Sequence, residues 1–322
     1  MHRIRFVLRK VLIAVVVLFL VMTLLYFSTY IASISQRRHH FTNIEILRMI
    51  WDRYVVYIKN IILHWDWGVS RSGDSVWPLF ISKVHYTMKI TLASLVFFMV
   101  FGCIFGVIAA IKKNTIIDKL INGLSAFFSS IPSFILVWFL MLYLGWGLKL
   151  LPPIYPVGTT NPVTALLGLV IPVISLSLWP LSKFIQLVRG EIIENLSAEY
   201  MILVRTKGLT KTQGILRHLS KNTLVTIMPE ITNSFLFVLT SSFLVEIIYN
   251  IQGVANLFYD SMILPFEFGN YISIDIPTTV LVGTFYVSFG VIMSLVFDVL
   301  YTVLDPRMKI GSNKYSRYWL LC

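Results

Sequence analysis

The sequence predicts an all-α integral membrane protein with about six transmembrane helices, and three observations predict it. Hydrophobic residues fill 57% of the 322 positions, charged residues only 13%, and the mean hydropathy is +0.79; soluble domains carry roughly 25% charged residues. Several apolar runs reach the length of about 20 residues that a helix needs to cross a hydrocarbon core of about 30 Å. Prolines, glycine and short basic clusters separate those runs, as turns between helices do. The net charge of +12 does not point to nucleic acid. No stretch interleaves basic and aromatic residues for base stacking, and basic residues collect in the cytoplasmic loops of membrane proteins.

Taken in order, Arg3, Arg5, Arg9 and Lys10 precede a first span from about Val11 to Ile34. Its apolar core is longer than that of a signal peptide and lacks a small-residue cleavage site, so it reads as a retained span. From Ser35 to about Met88 the chain is mixed. The run WDRYVVYIKNIILHWDWGVS alternates aromatic and charged residues, which predicts short helices lying at a membrane interface, where Trp and Tyr prefer to sit. A second span is expected from about Ile90 to Ile111, then a basic turn with Lys112, Lys113 and Lys119. The third span runs from about Leu120 to Trp146 with Pro132 inside it, and Pro152, Pro153, Pro156 and Gly158 make an irregular loop. The fourth spans about Val163 to Leu181 and contains Pro172 and Pro180. The fifth runs from about Thr223 to Ile248, a loop with Glu267 and Asp275 follows, and the sixth covers about Thr278 to Leu304.

Six spans place both termini on one side, and charge says which. Of the 27 Lys and Arg residues, 18 lie at the N-terminus, in the 112–119 turn, between Lys183 and Lys221, or in the tail; this face is cytoplasmic by the positive-inside bias. The chain divides into residues 1–89 (first helix and extracytoplasmic segment), a five-span core over 90–305 with a cytoplasmic loop at about 186–222, and a tail over 306–322. Cys103 falls in a span and Cys322 is the last residue, so no disulfide framework is implied.

The stretch Ser197–Asn222, SAEYMILVRTKGLTKTQGILRHLSKN, is a charged island between the fourth and fifth spans. Ser197 suits an N-cap, and Glu199 falls in the first turn that follows. Arg205 and Lys207 fall in the last turn, ahead of Gly208, the residue best able to end a helix in the left-handed conformation. Thr210 with Gln213 is a capping-box pattern for a second helix. Two short helices around a glycine stop make a rigid knob, suited to receiving mechanical work from a partner. The alternative is a solvated basic loop that anchors topology.

Elsewhere the chemistry is sparse. Glu230, Glu246 and Asp298 lie in or at the ends of spans, where a carboxylate is costly and therefore a functional candidate; they suit either a proton relay or hydrogen bonds within the bundle. Pro132, Pro172, Pro180 and Pro229 free backbone carbonyls, for a lining or for kinks. His39 and His40 have no acid or cysteine at ligand spacing. HExxH, paired CxxC, GxSxG and GxxxxGK motifs do not occur, so no catalytic, nucleotide, metal or cofactor site is expected. Asn195-Leu-Ser197 fits a glycosylation pattern but falls on the expected cytoplasmic side.

The island resembles the conserved cytoplasmic loop, often called the EAA loop, of binding-protein-dependent ABC importers, and most of all that of the oligopeptide and dipeptide permeases. AEYMILVRTKGL and RHLSKN place Glu199, Tyr200, Arg205, Lys207, Gly208, Leu209, Arg217, His218 and Asn222 on family positions. Four further stretches are similar to family signatures in the same order: WDWGVS (Trp65–Ser70), SIPSF (Ser130–Phe134), VEIIYNIQGVANL (Val245–Leu257) and LDPR (Leu304–Arg307). Val204, Thr206, Thr226 and Ala255 depart from the pattern. The resemblance implies a type I importer permease fold in a bacterial plasma membrane. It implies a second permease subunit, two ABC ATPases, an external substrate-binding protein, and oligopeptide cargo moved by alternating access. Glu199, Arg205 and Lys207 would then make polar contacts to the ATPase, Tyr200 would be the apolar anchor, and Gly208 the stop that lets the Ala198–Thr206 helix move as a unit. Glu246 would have a gating or structural role, as would Pro132. Nickel or glutathione cargo stays open within the same class. An ion-coupled carrier would need facing acids within the spans, and an intramembrane enzyme a nucleophile with its base.

Overall fold

The computed structural model describes residues 2–34, 43–197, 220–262 and 274–304. Among them are nine α-helices: α1 (His2–Ile34), α2 (Asn43–His64), α3 (Val76–Ile111), α4 (Ile116–Ser129), α5 (Ser133–Leu140, continued as π-helix over Met141–Gly147), α6 (Pro162–Ser197), α7 (Ser220–Ile248), α8 (Val254–Met262) and α9 (Ile276–Leu304). Five of these are long and apolar enough to cross a membrane, and six spans result if α4 and α5 count as one. Helices are the expected solution, because a spanning segment must satisfy its own backbone hydrogen bonds. Polar residues within the spans follow the same rule: Ser177 and Thr284 donate their hydroxyls to the carbonyls of Val173 and Val280, four residues back, at 2.6 and 2.7 Å.

The core lies where α3, α6 and α7 meet. Phe98, Phe184, Phe235, Ile171, Leu176 and Val238 are all buried there. The α3–α6 seam is set by Gly102 and Gly106 one turn apart on α3. A Cβ on Gly102 would meet Phe184 Cδ1 at 2.7 Å, and one on Gly106 would meet Val188 Cβ at 2.7 Å and the Ile185 carbonyl at 3.1 Å. In a membrane, where lipid removes most of the hydrophobic drive between helices, such small-residue seams let dispersion contacts hold the pair. The GxxxG spacing of GCIFG carries this seam.

Around the core the other helices are added in layers. α1 packs along α9, with Leu25 seated over Gly283, and its remaining face is largely exposed. α2 is a single helix of 22 residues rather than several short ones. It meets α1 through Tyr26, Tyr30, Tyr54 and Tyr57, whose rings contact one another, and the Thr23 and Tyr54 hydroxyls lie 2.6 Å apart. Its Ile44, Leu47, Trp51, Val55 and Ile62 stay exposed.

Three helix boundaries depart from the sequence reading. α3 begins at Val76, well ahead of Ile90, so the expected division between residues 89 and 90 falls inside it. α6 does not stop near Leu181 but continues through Pro172 and Pro180 to Ser197. An internal proline removes one donor and bends a helix without having to end it when neighbours hold both halves. The third span is not a straight helix containing Pro132: α4 and α5 meet at 97°. Pro132 caps α5 with φ −57° and ψ 139°, and its carbonyl accepts from Ile135 and Leu136 at 3.0 Å each. Proline lacks the N–H that would continue α4 and disfavours helical geometry at Ile131, so the chain turns a corner there.

The seam gives a direct test. Gly106→Ile should force α6 away from α3 and destabilise the detergent-solubilised protein by roughly 1–3 kcal/mol, the usual size of an overpacking penalty, read as a drop in thermal midpoint. Gly123→Ala, where an added Cβ has nothing within 4 Å, should be neutral or mildly stabilising.

Candidate functional site

Glu199, Tyr200, Arg205, Lys207 and Gly208 lie outside the described residues, as do His39 and His40. The flanks of that stretch are described. α6 delivers the chain at Ser197 and α7 takes it up at Ser220, so the charged island connects the two core helices at the end of the bundle that also carries the Lys112–Thr115 turn.

At that same end the structure reveals an ion pair absent from the sequence reading. Arg189 of α6 grips Asp118 of α4 with two prongs: Nε donates to Oδ1 at 2.7 Å and Nη2 to Oδ2 at 2.8 Å. The carboxylate also accepts from Asn122 Nδ2 at 2.7 Å and from the backbone N–H of Asn114 at 2.9 Å. The Asp118 side chain is 4% exposed and that of Arg189 27%. Thr115-x-x-Asp118 has the spacing of a helix-start motif, a signal legible in the sequence, although the carboxylate here accepts from Asn114 N and Thr115 makes no side-chain cap; Arg189 as its partner was not legible there.

The opposite end holds two more carboxylates in fixed positions. Glu246, fully buried near the end of α7, accepts at Oε2 from the backbone N–H of Ala255 at 3.0 Å, and both it and Thr87 of α3 crowd Gly253. Thr87 accepts in turn from Val254 N at 2.9 Å. Asn250 ends α7 with φ 55°, and Ile251 N returns to the Glu246 carbonyl at 2.8 Å, the left-handed close that asparagine tolerates. Gly253 passes so close that an added Cβ would collide with the Glu246 carboxylate and stand 2.7 Å from Thr87 Oγ1. Thus the residues of VEIIYNIQGVANL fold back on their own glutamate: the acid, the asparagine turn, the glycine of closest approach and the start of α8 form one unit braced on α3. Oε1 of Glu246 has no hydrogen-bond partner among the described residues.

Asp275 is the third. It caps α9, accepting from Thr278 N at 3.3 Å and from Thr278 Oγ1 at 2.9 Å. It also accepts from Ser70 Oγ at 2.8 Å and Arg71 N at 3.0 Å. Asp275 therefore ties the end of WDWGVS to the first turn of α9. Gly68 in the same motif has φ 90° and lies against Pro277, a geometry that favours glycine, while Asp66 Oδ1 accepts from Gly68 N at 2.9 Å. An Asp just ahead of an apolar run with Pro in the first turn is a helix-start pattern, so this role too was legible.

The remaining sequence candidates are dispersed. Pro132 sits at the α4–α5 corner, apart from the Glu246 unit. Glu230 is half-buried on α7 and accepts from Ser234 Oγ at 3.3 Å. The side chain of Asp298 lies outside the described residues.

Comparison with known proteins sets this geometry in a family. Residues 102–310 match the family described as binding-protein-dependent transport system inner membrane component. A dipeptide transport system permease protein of Lactococcus lactis is 27% identical over 319 residues, covering 95% of this chain and all of that relative. An oligopeptide transport system permease protein of Escherichia coli K12 is 30% identical over 318 residues, covering 95% of this chain and 99% of that one. Among solved structures, the methionine ABC transporter MetNI in an inward-facing conformation shares the fold, with a TM-score of 0.54 at 17% identity over 70% of this chain and 96% of the matched chain. With that match over more than half of its length and five to six helices apolar enough to cross a membrane, the chain belongs to the family of binding-protein-dependent transport system inner membrane components.

Proposed function

We propose that this chain is one of two permease subunits of an ATP-driven importer of peptides, working by alternating access in a bacterial plasma membrane. The observation that carries the reading is the similarity to dipeptide and oligopeptide permeases along 95% of the chain, which favours peptides over nickel or glutathione. The subunit pairs with a second permease. It has no nucleotide site of its own; two partner ATPases hydrolyse ATP, and an external binding protein delivers the cargo. Both termini and the 198–219 stretch face the cytoplasm, in keeping with the distribution of Lys and Arg. Glu199, Arg205 and Lys207 make the polar contacts to an ATPase, Tyr200 anchors the contact, and Gly208 stops the helix that carries them. After the first span, residues 35–88, the last of which belong to the start of α3, add an extracytoplasmic portion that helps to meet the binding protein, ahead of the five-span core and the cytoplasmic tail over 306–322. Alternating access requires that ATP favour one of two arrangements over the other, and the island is where that preference enters.

Within this scheme Pro132 sets the corner of the third span, and Glu246 is a structural latch rather than a proton carrier. Its oxygen accepts from the Ala255 N–H, and the next amide, of Val254, donates to Thr87, so α7, α8 and α3 stay joined at the outer end while the inner end moves. A relay would call for a second acid facing it, and its hydrogen-bond partner among the described residues is an amide.

Affinity capture in mild detergent tests the function. The intact chain should bring down an ABC ATPase and a second polytopic permease. The Glu199/Arg205/Lys207 triple-alanine variant should lose the ATPase alone. A chain that purifies by itself and moves solute without ATP would refute the importer. Gly208→Val should insert normally yet hydrolyse ATP without uptake; coupled uptake in that variant would remove the role given to the glycine. For the latch, Glu246→Ala should lower the thermal midpoint, because a buried donor left without its acceptor costs about 1–3 kcal/mol. Gly253→Ala should produce the same loss, and the two changes together should add little to either alone.

A further inference from the structure

We infer that the Asp118–Arg189 pair is a positioning joint for transport, which makes the start of the third span move as one body with the end of α6. The inference rests on the permease reading above and assigns a role to two residues that the reading does not use.

The packing of α4 is the first ground. Its Ile116, Leu120, Leu124 and Phe127 are all more than half exposed, and the buried residues on this helix are Asp118 and Ser125. Near its start Ile121 packs against the core, which gives α4 a narrow apolar purchase on the bundle. The directional attachment there is the carboxylate of Asp118, with four hydrogen bonds at 2.7–2.9 Å, two of them from one guanidinium on α6. A two-pronged Arg–carboxylate contact fixes orientation as well as distance, whereas an apolar face can slide.

Position is the second ground. Arg189 precedes Ser197, the last residue of α6, by roughly 12 Å of helix at about 1.5 Å per residue. A push delivered beyond Ser197 travels along α6, past Ile192 in the core, and reaches this joint about one turn further on. Past it, Phe184 and Val188 lock α6 onto Gly102 and Gly106 of α3. At its other end α4 turns through 97° into α5, so α4 is an arm fixed at one end by the ion pair and at the other by the corner at Pro132. A buried ion pair adds little net stability over an apolar contact of the same shape, yet losing one partner is costly. Such a pair suits a contact whose value lies in its geometry.

The test uses the full transporter in liposomes: this chain with its partner permease, ATPases and binding protein, with radiolabelled trialanine as the probe. Asp118→Asn and Arg189→Leu should leave ATPase binding and ATP hydrolysis in place while uptake per ATP hydrolysed falls about tenfold, within the usual range of coupling between sites. Arg189→Lys, which keeps the charge and loses the second prong, should also fall, and the exchange D118R/R189D should recover part of the loss. A contact that only stabilises would reduce the amount of assembled transporter and leave uptake per ATP unchanged in what assembles; that result overturns the joint.

A second measurement leaves the pair intact. Spin labels replacing Leu124 on α4 and Gly190 on α6, in a chain with Cys103→Ser and Cys322→Ser, should keep one separation in the nucleotide-free and ATP-trapped states. A separation that changes between the two states overturns the proposal even if the substituted chains fail to assemble. Wild-type liposomes with no ATP-driven uptake would instead refute the transporter reading and the joint's role with it. Wild-type uptake alongside normally coupled Asp118→Asn and Arg189→Leu chains would remove the joint alone.

Discussion

Gly102 and Gly106 bring α3 and α6 together until Val188 rests on the backbone of α3, and the other helices take their places from that seam. A membrane offers little hydrophobic reward for pressing one apolar helix against another, so close contact must come from shape. Two glycines one turn apart provide a flat strip on α3, and Phe184, Ile185 and Val188 fill it. Once that strip is occupied, α7 can lie against both helices and bury Ile227, Ile231, Phe235 and Val238 along its length. α8 and α9 then close the bundle on the α7 side, and α1 adds an outer rib along α9. The strip also explains why α6 survives two internal prolines: the half after Pro180 is clamped to α3 by side chains, so the backbone bond lost there is not the bond that holds it.

Carboxylates at the two ends are used in different ways. At the end with the irregular segments, Glu246 and Asp275 accept backbone N–H groups that would otherwise be left unpaired where a helix starts or a loop doubles back. Each anchors a chain segment to its own neighbourhood, and the buried groups they satisfy would each cost about 1–3 kcal/mol if left open. At the end leading to the charged island, Asp118 instead pairs with an arginine on another long helix. The first arrangement pins loops; the second links levers. Both answer the same rule, that a charge removed from water must be met by donors.

Much of this was legible in the sequence, and the rest was hidden for identifiable reasons. Apolar run length placed the spans, because the thickness of a bilayer sets the length of helix that crosses it. Helix ends were less visible: α3 extends back to Val76 and α6 on to Ser197, since a helix can project beyond the apolar core and hydropathy reports only the core. Pro132 was visible as a residue, but its consequence was not. Pro172, Pro180 and Pro229 stay inside helices while Pro132 turns a corner, so the residue type alone does not separate a kink from a corner. Glu246 was singled out as an acid in a span. Its neighbour Thr87 was not, because it arrives from another part of the chain and carries no charge. Asp118 and Arg189 lie 71 positions apart, and only the parallel run of α3 and α6, followed by the short turn into α4, brings them together.

The corner and the joint act on the same helix, and their combination bears on how a push becomes an opening. A straight third span tied to α6 would follow it rigidly from one face of the membrane to the other. A span broken at 97° divides that motion: α4 follows α6, while α5 is free to keep its own packing against α6 and α7. On the proposed reading, displacement entering at Ser197 is then spent on the part of the third span nearest the island, and the outer part, with the latch around Glu246, holds its shape. Differential movement between the two ends of a bundle is what alternating access demands. On the proposed reading, a close-packed seam, a charged joint and a proline corner divide that movement between the two ends.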